Sequence, residues 1–485
     1  MASPLAVVAL VGRLVVLFAL LMLLPLLFGA LDDWRGGWAF GISMAVTAVV
    51  GIAMVVSTRR FGRELQPRDG FLLMALTWLL LPAFGALPLL LVIPGLSVTD
   101  AYFEAMSGFT ATGATVLKGL DELPLAVNVW RCFMSLVGGL GIIVLAVAIL
   151  PMLGVGGTQL IRAEISGPMK DQKFTPRIAE TARGLWVVYG ALALACMLAY
   201  RWGGMSWPDA FMHMCTTVSL GGFSSHDMSF GYWNSPLLEA VAVFFMMLAG
   251  GNFLLYFVAW RKRSLWVLWR DVELRAFFGV VAAAVLLIAL YLTLHGTYDN
   301  LAQALRHTVF HVVSVATTTG YANHDYAQWP MFAPLLMILL GCFATCAGST
   351  GGGIKMVRLL LLVKQSQREL VRIIHPQVVN PVLLGGAVVP PRVMHGVIAF
   401  MMVYGATLVS LTMVLLFSGM DVVTAFTAVI ACVNNIGPGL GEVGPAVNYG
   451  SLTHFQTWVC TFAMLLGRLE LLAVLVLFTP QFWRR

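Results

Sequence analysis

Ten apolar stretches of membrane-spanning length fix what this 485-residue chain can fold into; they lie near 8–29, 38–57, 71–94, 125–153, 183–202, 236–260, 276–296, 331–363, 392–418 and 451–479. About 20 apolar residues in helix cross the hydrocarbon core. Backbone polar groups there must be satisfied internally, so each stretch is expected to be helical. Composition agrees: 60% of residues are apolar and 11% charged, against about a quarter charged in soluble domains. The first stretch is too long for a simple signal peptide and reads as a retained membrane anchor.

The charges separate by loop. Of 29 basic residues, 22 fall in alternate inter-span segments: Arg59, Arg60, Arg63 and Arg68; Arg162, Lys170, Lys173, Arg177 and Arg183; Arg261, Lys262, Arg263, Arg270 and Arg275; Lys355, Arg358, Lys364, Arg368, Arg372 and Arg392; Arg484 and Arg485. The opposite loops carry Asp32, Asp33, Asp100, Asp121, Glu122, Asp209, Asp227, Asp299, Asp325, Asp421 and Glu442. The positive-inside rule then predicts a multi-pass protein of the cell inner membrane with both termini cytoplasmic. The net charge of +7 is spread over these short runs, so no nucleic-acid partner is expected and lipid is the surrounding partner. Seven cysteines scattered singly through apolar segments read as buried, inert thiols.

Four segments on the acidic side are neither spans nor plain loops, and they resemble one another. The first runs from Asp100 to Gly113 and the second from Asp209 to Gly222, each with an Asp read as N-cap. The third ends Thr317-Thr318-Thr319-Gly320-Tyr321, and the fourth, the most divergent, runs from Asp421 to Asn434-Asn435-Ile436-Gly437-Pro438-Gly439. The marker glycines are 109, 98 and 117 residues apart, which suits a re-entrant helix, an inward span, a basic loop and an outward span. The expected fold is an all-α polytopic membrane protein, two N-terminal helices plus four helix, pore-loop, helix repeats around a central ion pore. The units are 1–70, then 71–160, 161–263, 264–373 and 374–485.

Non-helical backbone at membrane depth must be buried in protein or line water. Four such strands around an axis give a ring of carbonyls able to replace the hydration shell of a monovalent cation. Any one Thr-Gly or Gly-Gly pair is explained equally by a tight turn. Four in the same place argue against that.

These motifs, Thr-Ala-Thr-Gly113-Ala-Thr, Ser-Leu-Gly-Gly222-Phe-Ser, Thr-Thr-Thr-Gly320-Tyr-Ala and Asn-Asn-Ile-Gly437-Pro-Gly, resemble the Trk/Ktr/HKT superfamily of potassium transporters, and within it the TrkH/TrkG-type pore subunits, over essentially the whole chain. The resemblance implies a K⁺ filter built from Thr112 and Gly113, Gly221 and Gly222, Thr319 and Gly320, and Ile436 and Gly437. It implies K⁺ held by Thr112 and Gly113, Leu220 and Gly221, Thr318 and Thr319, and Asn435 and Ile436. Glycine in all four strands goes with K⁺ preference in that family. Leu220, where Thr is expected, is a departure. A homodimer and a cytosolic, ring-forming, nucleotide-binding regulatory subunit of TrkA type are also implied, with K⁺ as cargo and no tightly bound cofactor.

Below the filter, the eighth stretch contains Gly348-Ser349-Thr350-Gly351-Gly352-Gly353-Ile354-Lys355. This is not a phosphate-binding loop, because the G-x-x-x-x-G-K-[ST] spacing and a preceding strand are absent. Three successive glycines, each costing about 1 kcal/mol in a helix, leave a passive kink or a mobile loop under the filter; the resemblance implies the gating loop. Arg468 stands inside the tenth stretch, where a charge costs roughly 2.5 to 3.5 kcal/mol on insertion scales. Either it pairs with Glu470 or a carboxylate across the bundle, or it is a positive charge in the pore; the resemblance implies the second. His307 and His311, one turn apart, read as packing residues rather than metal ligands. A proton- or sodium-coupled symporter remains the alternative, with Glu470 and Glu239 as the chief carboxylates. No nucleophile-and-base pair or metal cluster suggests an enzyme.

Overall fold

The computed structural model describes residues 5–32, 34–61, 66–144 and 174–484. Asp33, Arg63, Arg162, Lys170, Lys173 and Arg485, the end of the fourth apolar stretch and the 160/161 boundary lie outside the described residues. Among the described residues, six helices are long and apolar enough to cross a membrane: Leu5–Gly29, Gly37–Phe61, Arg68–Val92, Ala182–Trp202, Val272–Leu294 and Pro391–Phe417. Two further stretches are helix pairs bent sharply at a short break, Pro236–Ala249 with Phe253–Lys262 at 87° and His454–Arg468 with Leu471–Phe478 at 109°. The sixth and tenth stretches, expected as unbroken spans, are thus broken as well as the eighth. Gly250, Gly251 and Asn252 break the sixth, while Leu469 and Glu470, the latter at φ 56°, break the tenth. The eighth is Phe332–Gly341 and Met356–Ile374 joined by non-helical chain.

Four short half-helices lie among these: Val98–Phe109, Trp207–Val218, Leu301–Ala316 and Val422–Val433. Most of their side chains are buried, including nearly every residue of the last two turns. The expected N-caps need correction. Ser97 and Ser206 are the caps, accepting from the amides of Asp100 and Asp209, whose carboxylates accept the cap hydroxyls in return. The hydroxyl reaches the third amide of the helix and the Asp sits at that position, so Ser-x-x-Asp was the signal. Asp421 does cap the fourth half-helix, and Asn300 caps the third.

Candidate functional site

The four half-helices end identically. In each, an amide bonds five residues back into the last turn: Thr112 to Ser107, Gly221 to Thr216, Thr319 to Ser314 and Ile436 to Ala431, at 2.7 to 2.9 Å. The residue just before that amide is left-handed in every case: Ala111 φ 52°, Leu220 φ 56°, Thr318 φ 63° and Asn435 φ 54°. This is a Schellman-type ending, made here without glycine. Leu220 occupies this turn position, where the main chain is used and the side chain is buried.

Two residues after that turn the chain is left-handed again, at Gly113 φ 81°, Gly222 φ 63°, Gly320 φ 86° and Gly437 φ 95°. Here glycine is required twice over, by φ and by contact. A Cβ on Gly113 would lie 2.5 Å from the Gly221 carbonyl oxygen, and one on Gly437 2.7 Å from that of Thr112. On Gly222 it would fall on the Thr319 oxygen and on Gly320 on the Ile436 oxygen. Each glycine therefore abuts the carbonyl of the next strand, in the closed order 113, 221/222, 319/320, 436/437 and back to 112. The carbonyls of Thr112, Gly221, Thr319 and Ile436 are each abutted in this way by a neighbouring strand, so the four strands close a ring. The four glycines also line a single cavity with Arg131, His226 and other residues of the acidic-side loops.

Behind the ring, one position recurs nine residues before each glycine. In the first unit it is Glu104, fully buried and paired with buried Arg131 at 2.7 Å. Glu104 also accepts from the Thr115 hydroxyl at 2.9 Å and the Val116 amide at 3.0 Å, so it holds the chain just after Gly113. Arg131 reaches the second strand, donating to the Ser224 carbonyl at 3.4 Å and stacking 4.4 Å over Phe223. In the second unit His213 meets the Ser224 hydroxyl at 3.0 Å. In the third, His311 is buried edge-on to Trp329 and Tyr326, and among the described residues neither ring nitrogen makes a hydrogen bond of good geometry. His307 instead contacts Asn323 at 3.2 Å. Sequence reading missed this set, although Glu104, His213 and His311 share one register.

Beneath the ring runs the interruption of the eighth stretch. Thr350 donates its hydroxyl to the Val218 carbonyl at 3.0 Å, below the second strand. The Gly352 amide donates to the Thr318 hydroxyl at 3.0 Å, and a Cβ on Gly352 would fall on the Asn434 carbonyl. Lys355 donates to the Gly351 carbonyl. Gly348 and Gly353 are left-handed, at φ 76° and 82°, while Ser349 bonds back to Cys346 at 2.7 Å.

Arg468 is 3% exposed and joins this segment, donating to the Thr350 carbonyl at 2.7 Å and to Gly138 on the helix after the first strand at 3.3 Å. The expected alternative of an Arg468–Glu470 pair does not form. The break after Arg468 turns Glu470 away, and its carboxylate pairs with Arg358 at 2.7 Å. Glu239 is likewise paired, with Arg306, through two bonds of 2.8 Å.

On the acidic side, His226 lies between two carboxylates, bonding Asp121 and standing 3.5 Å from Asp209 while stacked on Tyr232 at 3.6 Å. Burial alone would lower the His226 imidazole, but Asp209 and Asp121 carry it above its ordinary value. Burial opposes ionisation of Asp121, yet its hydrogen bond to His226 holds it below the usual carboxylate range.

The TrkH family model, described as a cation transport protein, matches residues 37–485. The Trk system potassium uptake protein TrkH of Salmonella typhimurium (strain LT2) is 44% identical over 480 residues, 99% of each chain. The Trk system potassium uptake protein TrkG of Escherichia coli (strain K12) is 40% identical over 475 residues, 98% of this chain and 97% of that one. The crystal structure of the potassium transporter TrkH from Vibrio parahaemolyticus superposes with a TM-score of 0.91 at 41% identity, covering 99% of both chains. This chain is a multi-pass membrane protein and belongs to the TrkH family of cation transport proteins.

Proposed function

We propose that this chain is the pore of a K⁺ uptake system of the cell inner membrane, with both termini cytoplasmic. The observation that carries the reading is the closed order of four glycines against four neighbouring carbonyls. A carbonyl ring suits a monovalent cation, whereas Mg²⁺ and Ca²⁺ favour carboxylate oxygens. Half-helix carboxyl ends facing the ring add partial negative charge. The membrane potential supplies about 2.3 kcal/mol per charge per 100 mV. No chemical step is needed.

In this reading Gly348 to Gly353 and Arg468 form the gate. The segment touches the ends of three half-helices, and Arg468 places a cation beneath a cation path. Relatives named potassium uptake proteins support K⁺ as the cargo. The homodimer, the TrkA-type nucleotide-binding regulator and the unit boundaries belong to the same proposal.

Proton- or sodium-coupled symport is the second reading. Its two candidate carboxylates, Glu239 and Glu470, are each occupied by an arginine, which favours the channel-like pore. Purified protein in liposomes, given K⁺, Rb⁺, Na⁺ or Li⁺ gradients, decides. K⁺ and Rb⁺ should pass faster than Na⁺ and Li⁺ without a proton or sodium gradient; equal flux of all four would reject the carbonyl filter.

A further inference from the structure

The segment between Gly341 and Met356 must be held in place by something other than its own helix, since it has none. Its inward end is also chemically unfinished. Met356–Ile374 begins a helix whose first amides lack intrahelical acceptors. The residue at its cap position is Lys355, at φ 78°, whose side chain has no acceptor to offer and makes no cap. A carboxylate is what such a helix start favours.

That carboxylate comes from another helix. Glu273, in the first turn of Val272–Leu294, is 9% exposed, and its Oε1 accepts from the Val357 amide at 3.1 Å. The same oxygen accepts from the Ala347 amide at 2.7 Å. Residues 347 and 357 stand on either side of Gly348 to Gly353. One carboxylate oxygen therefore pins both ends of the segment together. Lys355 is not its partner by hydrogen bond, because its ammonium group is directed to the Gly351 carbonyl and to the hydroxyls of Ser349 and Thr345. Asp271 fixes the helix that carries Glu273, accepting from the Leu274 amide at 2.6 Å. Immediately before it lies the basic stretch Arg261-Lys262-Arg263 and the short helix Trp266–Arg270.

We infer that Glu273 is a positioning residue for the gate, a latch whose bond to Ala347 holds the Gly348 to Gly353 segment under the filter while its bond to Val357 caps the helix that follows. The inference rests on the reading of that segment as a gate. Moving the segment aside breaks the Ala347 bond and leaves the Val357 bond intact, so the two bonds divide between a movable and a fixed anchor. Removing an interaction present in one state only shifts the population toward the other. Because Glu273 begins a helix joined directly to the basic 261–275 stretch, a pull on that stretch would reach the gate through Glu273 as well as through the Phe253 amide, which donates to the Gly348 carbonyl at 3.2 Å.

The test is K⁺ influx into liposomes carrying the full chain, its Glu273→Ala and Glu273→Gln variants, and Arg468→Ala in parallel. Glu273→Ala should conduct about tenfold faster, the shift one charge-assisted hydrogen bond supports. Glu273→Gln, whose amide oxygen still accepts, should rise two- to threefold, about the part expected of a neutral acceptor. K⁺ over Na⁺ discrimination should be unchanged in both, which a merely loosened fold would not preserve. A faster Arg468→Ala with unchanged or slower, folded Glu273 variants overturns the latch and leaves the gate standing. If all variants, Arg468→Ala included, match the parent, the gate reading itself fails and the latch with it. Should Glu273→Ala not fold, an unchanged rate in Glu273→Gln overturns the proposal.

Discussion

The guanidinium of Arg468 donates to the main-chain oxygen of Thr350 at 2.7 Å, and Thr350 in turn donates its hydroxyl to the carbonyl of Val218 at 3.0 Å. An arginine at the end of the last half-broken span is thereby tied through one residue of the interrupted helix to the end of the second half-helix. Arg468→Ala removes both a cation under the proposed path and the bond that holds Thr350. K⁺ flux in proteoliposomes should increase about tenfold or more, since a hydrogen bond from a charged donor contributes about 1.5 to 3 kcal/mol. An unchanged or reduced rate would count against a gating role.

The Glu104–Arg131 pair braces the first two strands of the ring from behind. Both partners are fully buried, and removing one member of such a pair costs about 3 to 5 kcal/mol because the other is left uncompensated. Glu104→Ala should lower the melting temperature of the detergent-solubilised protein more than Glu239→Ala does, because Arg306 is partly exposed to water. Scanning fluorimetry of both variants makes the comparison.

Much of this was legible in the chain. The four marker glycines, the broken eighth stretch and Arg468 carry their signals locally, through φ requirements, helix propensity and the cost of a buried charge. The breaks at Gly250-Gly251 and Glu470 were less visible, because an apolar window averages over a two-residue turn. The choice of partner was not legible at all. Glu470 stands two residues from Arg468 yet meets Arg358 across 112 positions, and Glu273 meets Ala347 across 74. Such pairings depend on where the bends put the side chains. The bracing position behind the ring could have been found by aligning the four segments on their glycines and reading nine residues back.

That alignment yields a substitution. Two residues after the glycine stand Thr115 and Ser224, whose hydroxyls meet Glu104 and His213, but in the third strand the position is Ala322. His311 consequently has no hydroxyl to bond. Ala322→Ser should supply one and stabilise the fold by about 1 kcal/mol, the net worth of a hydrogen bond. Thermal unfolding of the variant is the measurement, and a fall in stability would show that the site cannot accept the added oxygen.

The His226 bridge predicts a pH window. The folded imidazole lies above its ordinary value, so its contribution is complete below about pH 6.5 and is lost as pH rises through the raised folded value. Asp121 and Asp209 are depressed, so theirs is complete above the ordinary carboxylate value of about 4 and is lost as pH falls through the lowered ones. The tie between the two acidic-side loops should be firmest between about pH 4 and 6.5. Hydrogen exchange of residues 118–122 and 226–233 should slow in that window, and His226→Gln should abolish the difference.

The four ring glycines set the last test. A β-carbon at Gly113 would stand 2.5 Å from the Gly221 carbonyl oxygen, closer than real contacts allow, and φ of 81° adds strain for any L side chain. Backbone displaced there is backbone of the ring, and because each strand abuts the next, the displacement passes to a second carbonyl. Gly113→Ser should therefore relax discrimination against Na⁺ while leaving a folded, conducting protein. The K⁺ to Na⁺ flux ratio in liposomes should drop severalfold. Ala114→Ser, one residue beyond the ring, should leave the ratio near that of the parent; an equal drop in both would mean that side-chain polarity, not ring geometry, sets the preference.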